Sequence, residues 1–158
     1  MKRIYILSGS IQSGKTTRLI KWINGKQKVD GILQPVINGK RFLHHISSGE
    51  NRQLEISGKV IAENEVEVGK YKFDKNVFRW AQEKLLYVYK EDLEWLVIDE
   101  FGKLELKGNG LEPAISQIIN EDGENSKANI IIVIRDYLVS EFISKYKDDL
   151  TEIQFLDL

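Results

Sequence analysis

The chain contains no cysteine. That absence excludes disulfides, thiolate metal sites and cysteine nucleophiles, and it suits an expected cytoplasmic location. Neither sign of charge is in surplus: 23 Lys and Arg stand against 24 Asp and Glu. The global basic excess behind sequence-independent nucleic-acid affinity is therefore missing, and nucleic acid is not an expected partner. No apolar run approaches the ~20 residues of a membrane-spanning helix, so no membrane association is expected, and the first apolar stretch is too short for a signal peptide. Internal repeats and low-complexity segments are absent as well. The two histidines are adjacent, His44 and His45; on a strand they would face opposite sides, which argues against a shared metal ion. What remains is an ordinary globular composition, 42% hydrophobic and 30% charged over 158 residues, expected to form a single domain across 1–158.

The most informative stretch is Gly9-Ser10-Ile11-Gln12-Ser13-Gly14-Lys15-Thr16-Thr17. An apolar run at 4–7 precedes it, and Leu19, Ile20 and Ile23 follow at helical spacing, which predicts strand, phosphate loop and helix in succession. Gly9 and Gly14 permit backbone geometry closed to other residues, so that amides near Ser13 to Thr16 point inward at a phosphate chain. The helix start adds its positive dipole end. In this arrangement Lys15 reaches the β- and γ-phosphates, the Thr16 hydroxyl ligates Mg2+, and Thr17 supports the α-phosphate side.

Further along, Asn24-Gly25 marks a helix stop, and Asn38-Gly39 predicts a β-hairpin between 31–37 and 40–46. Short strands are expected at 53–56, 65–68 and 71–73, then an Asp74-capped helix with Val77, Ala81, Leu85 and Val88 inward. Residues 102–110 read as a loop, Pro113 as the first turn of a helix to Asn120, and 121–127 as a surface connection. The β-branched run 130–134 reads as a central strand buried on both faces. Asp136 is placed to cap a last helix to Tyr146, and 153–156 to form a final strand. Alternating strands and helices imply an α/β fold with a mainly parallel sheet, helices on both faces and an inserted antiparallel hairpin.

The apolar run 93–98 ends in Asp99-Glu100, delivering two carboxylates to the edge where ligands bind in open α/β sheets. Asp99 is placed to hold Mg2+ beside Thr16, and Glu100 to orient and polarise a water for in-line attack on the γ-phosphorus. The guanine-reading N-K-x-D element of small GTPases is missing. An additional cation on the γ-phosphate is expected from Arg135, just past the central strand, with Lys103 as the second candidate. Trp22, Trp80 and Trp95 read as core. Arg41, Arg52 and Arg79 read as solvated, although the hairpin bearing Arg41 and the loop bearing Arg52 are able to lean over a nucleotide.

Asp99-Glu100-Phe101-Gly102-Lys103-Leu104-Glu105-Leu106, together with Gly31-Ile32-Leu33-Gln34-Pro35, Ser48-Gly49-Glu50 and Gly69-Lys70-Tyr71, resembles the P-loop nucleoside-triphosphatase family that includes the cancer-related nucleoside-triphosphatase and its thermophilic archaeal and bacterial relatives. The resemblance covers most of the chain in order. It implies a P-loop NTPase fold of the additional-strand catalytic-glutamate type and magnesium-dependent hydrolysis of ATP, GTP and other nucleoside triphosphates to diphosphate and phosphate, with broad base tolerance. It also implies Lys15 and Thr16 on phosphate and metal, Asp99 on the metal, Glu100 as water activator, and Lys103 and Glu105 near the γ-phosphate. A small-molecule or nucleotide kinase shares the loop, but no arginine-rich lid segment is evident. A slow nucleotide-dependent switch is the other alternative, and nothing in the sequence identifies a protein partner for it.

Overall fold

A computed structural model describes residues 3–9, 14–58, 63–121, 127–149 and 152–158. Five strands run parallel: β1 (Arg3–Gly9), β2 (Val29–Leu33), and, later in the chain, Trp95–Phe101, Asn129–Arg135 and Glu152–Phe155. Between β2 and these later strands come β3 (Val36–Ile37), β4 (Lys40–His45), β5 (Asn51–Gln53), β6 (Glu65–Val68) and β7 (Tyr71–Asp74), so the later three are β8, β9 and β10. The main sheet has the order β10-β1-β9-β8-β2-β4-β3, with β5 also on β4, and β6 pairs with β7 separately. β9 thus lies between the phosphate-loop strand and the carboxylate strand, which is the additional-strand arrangement. β4 is antiparallel to β2 and carries β3 and β5.

Side-chain alternation along the central strands divides the interior in two. Ile130, Ile132 and Ile134 join Ile4, Ile6, Leu96 and Ile98 under α2 (Lys75–Val88), α4 (Ala114–Asn120) and α5 (Val139–Tyr146). Ile131 and Val133 join Leu7, Val97 and Leu19 of α1 (Lys15–Ile23) on the other face, where Trp22 and Trp95 pack edge to face. A strand buried on both faces can be continuously β-branched, and β9 is. Helices therefore cover both faces.

The turn at Asn38 and Gly39 adopts φ values of 51° and 77°, as a two-residue hairpin requires. The expected strand 31–37 is interrupted, because Pro35 has no N–H to offer the ladder. β2 ends at Leu33, and the Pro35 carbonyl accepts from Phe42 N at 2.9 Å to resume pairing through β3. The strand expected at 53–56 is instead β5, with Glu55 reduced to a single bridge to Phe73. Two helical expectations also change. The loop 102–110 contains a one-turn helix, α3 (Lys103–Leu106). Asp136 opens a 3₁₀ turn, Asp136–Leu138, ahead of α5, its Oδ1 accepting from Tyr137 N at 2.9 Å.

Gly31 fixes how closely β2 approaches β8. It sits at φ 141° in register with Val97, and a Cβ there would lie 2.0 Å from the Val97 carbonyl oxygen. Gly31→Ala is expected to cost about 3 kcal/mol or more in denaturant unfolding, since backbone must move on both strands. A loss below about 1 kcal/mol would contradict this packing.

Candidate nucleotide site

Gly14 takes φ 79° immediately before α1, the left-handed conformation that turns the chain into the helix. Gly9, in contrast, ends β1 in extended pairing, in register with Arg135 at the end of β9. That register sets Arg135 beside Gly9, the first residue of the expected loop. Ser10, Ile11, Gln12 and Ser13, the remainder of the expected loop, lie outside the described residues. Lys15 Nζ donates to the Gly9 carbonyl at 3.2 Å, and burial pulls its ammonium below the ordinary lysine range, opposed by the Glu100 carboxylate.

At the carboxyl end of β8 the pairing shifts register between Asp99, opposite Val133, and Phe101, opposite Ile134, leaving Glu100 as the extra residue. Such a bulge re-aims side chains, and here it lets consecutive carboxylates share one cleft. Asp99 is 1% exposed. Its Oδ2 accepts from Thr16 Oγ1 at 2.9 Å and from Gln34 N at 3.1 Å. Burial raises its pKa to about 6, against those two hydrogen bonds. Glu100 stands between two arginines: Arg135 Nε lies 3.1 Å from Oε1, and Arg41 Nη1 lies 4.0 Å from Oε2.

The donor set fits Mg2+. A hydroxyl and a buried carboxylate touch each other beside the phosphate loop, and no cluster of three metal-binding side chains occurs among the described residues. Magnesium commonly takes one or two protein oxygens and completes its shell with water and substrate phosphates, and a hydroxyl beside one carboxylate matches that demand. His44 and His45 serve the hairpin instead: His44 Nδ1 meets Asn51 Oδ1 at 2.7 Å, while His45, held below the usual imidazole range by burial, meets Ser48 Oγ at 2.7 Å and Asp30 at 3.3 Å.

Gly14, Lys15, Thr16, Thr17, Asp99, Glu100 and Arg135 all line one cleft of ≈ 350 Å³. Lys103 does not. It lines a second cleft, of ≈ 290 Å³, that shares Gln34, Arg41, Glu100 and Arg135 with the first. Glu105 likewise lines the second cleft and not the first. At 4% exposure it ties together residues 102–111, Oε1 accepting from Gly102 N at 2.8 Å and Oε2 from Leu111 N at 3.0 Å.

Arg41 is the residue whose place the sequence left undecided. β2 is parallel to β8, so the chain leaves β2 at the edge that carries Asp99 and Glu100, and the hairpin that follows brings Arg41 to Glu100. The signal was the Asn38-Gly39 turn, which sets Arg41 opposite Val36 on that hairpin. Arg52 goes elsewhere, its guanidinium 4.6 Å over the Trp80 ring and 3.0 Å from Glu50.

Burial raises the Glu105 pKa from 4.5 to about 7, against its backbone hydrogen bonds. Between those values the folded state keeps a proton that the unfolded state has lost. Stability should therefore fall as pH rises from 4.5 to 7, by ~3 kcal/mol, and level off above. Glu105→Gln should remove that part of the slope in denaturant midpoints measured across this range. An unchanged slope would contradict the assignment.

A left-handed glycine leading into a helix, a buried lysine, a hydroxyl–carboxylate pair and a strand-end glutamate, all at the carboxyl edge of an additional-strand sheet, define a nucleotide-binding P-loop NTPase. Comparison with known proteins agrees. The NTPase family profile matches residues 4–156, and the chain belongs to that family. The fold is similar to the crystal structure of THEP1 from the hyperthermophile Aquifex aeolicus, with a TM-score of 0.72 over 98% of this chain and 89% of that one, at 20% identity. No curated protein matches the chain.

Proposed function

We propose that the protein, as one domain spanning residues 1–158, hydrolyses nucleoside 5′-triphosphates to diphosphate and phosphate with Mg2+ and broad base tolerance. The observation that carries the reading is Glu100, a strand-end carboxylate in the same cleft as Lys15, Thr16 and Asp99, immediately after the residue suited to the metal. Thr16 and Asp99 would hold Mg2+, which supplies charge neutralisation on the β- and γ-phosphates. Lys15 and the amides opening α1 bind the phosphate chain. Glu100 accepts a proton from the attacking water and aligns it with the γ-phosphorus. Arg135 and Arg41, now paired with Glu100, are near enough to transfer their charge to the γ-phosphoryl oxygens as electron density moves there.

Broad base tolerance is supported by the outer wall. Ile20 and Val36, 38% and 62% exposed, flank the cleft with Pro35 and offer apolar surface to a base. Apolar contact discriminates weakly between ligands that differ in hydrogen-bonding groups. Inorganic phosphate release from ATP, GTP, CTP and UTP, with and without Mg2+, tests the reading. All four should be hydrolysed, and only with the metal. Nucleotide binding without phosphate release would contradict hydrolysis, and turnover of a single base would contradict tolerance.

A further inference from the structure

We propose that the second cleft receives a hydroxyl-bearing organic anion, and that the protein transfers the γ-phosphoryl group to this alcohol as well as to water. The inference rests on the reading of Glu100 as base. Glu100, Arg41 and Arg135 line both clefts, so the base and its two cations face the triphosphate space and an adjoining space of ≈ 290 Å³. A second substrate seated in this adjoining cleft would present its hydroxyl to the same carboxylate, and the size of the cleft lies near the lower end for small-molecule pockets.

The lining states the chemistry. Lys70 and Lys103 line this cleft and not the first, and their ammonium groups lie 5.4 Å and 6.0 Å from the rings of Tyr71 and Tyr137. Among the described residues neither forms an ion pair. The carboxylates present are already engaged, Glu100 by arginines and Glu105 by backbone amides. An anionic group on the ligand would pair with these two exposed lysines. The nucleophile is a hydroxyl rather than a phosphate oxygen, because a phosphate needs no base and would meet the Glu100 carboxylate with like charge. In the step, the hydroxyl oxygen bonds to the γ-phosphorus and its proton passes to Glu100. The bond from that phosphorus to the β,γ-bridging oxygen breaks, and the nucleoside diphosphate leaves with the electron pair.

The test measures ADP and inorganic phosphate separately for the Mg2+-loaded full chain with ATP. Matched probes are pantothenate against its neutral alcohol pantothenol, and D-glycerate against glycerol. Without probe, ADP formation reports the hydrolysis reading by itself. With the acids, ADP should exceed phosphate, the difference should appear as phosphate ester, and ester yield should exceed that from the neutral partners by about tenfold. Lys70→Glu should lower ester yield from the acids by about tenfold and leave the probe-free rate unchanged. ADP equal to phosphate with both acids, equal yield from acid and neutral partner, or ester yield indifferent to Lys70→Glu would each overturn the proposal.

Discussion

Glu100→Gln is expected to lower kcat for ATP hydrolysis by about 10²–10⁴-fold while ATP affinity stays equal or tightens. The substitution keeps the shape of the side chain and removes its capacity to accept a proton. It also removes the charge that holds Arg135 at 3.1 Å and Arg41 at 4.0 Å. Those arginines neutralise the carboxylate, and a γ-phosphate would compete with it for them. Deleting the carboxylate ends the competition in favour of the nucleotide. Turnover and binding therefore move in opposite senses, an outcome that general loss of structure would not produce. Equilibrium binding of ATP together with steady-state phosphate release reads both quantities. A variant retaining near wild-type kcat would remove Glu100 from the mechanism.

Arg135→Ala should lower kcat by about 10²–10³-fold with a much smaller change in ATP affinity, as expected when a cation acts mainly on charge developing in the transition state. The register of Gly9 with Arg135 brings this residue into the cleft that Lys15 and Glu100 line. Arg41→Ala should act in the same direction, because the hairpin brings its guanidinium to the other oxygen of the same carboxylate. Two roles are separable. If Arg135 only positions Glu100, the Arg135→Ala/Glu100→Gln double variant will be as slow as Glu100→Gln alone. If it acts on the γ-phosphoryl group, the double variant will be slower than either single variant. The account predicts the second result.

Much of this site was legible from sequence because its parts obey local rules. The phosphate loop needs glycine at fixed spacing, and a carboxylate pair after a buried apolar strand falls at the ligand edge. Arg135 was placed by the same rule, since 130–134 could only be a central strand and the next residue had to emerge at that edge. Arg41 escaped because its position depends on β2 pairing with β8, more than sixty residues away, and no local pattern encodes that partnership. Lys103 and Glu105 sit within one turn of helix, too short for periodicity to show. Their neighbourhood followed from resemblance, but the direction of Glu105 did not: the amides of Gly102 and Leu111 claim its carboxylate. Pro35 shows the converse, a residue visible in sequence whose missing N–H divides an otherwise continuous strand.

Glu100 is proposed to direct water onto the γ-phosphorus of a bound triphosphate. The most direct measurement is ATP hydrolysis in water enriched in heavy oxygen, with mass analysis of both products. The account predicts one solvent oxygen in the released phosphate and none in ADP, at a rate that collapses in Glu100→Gln. Solvent oxygen in ADP, or label incorporation at the wild-type rate in Glu100→Gln, would contradict it.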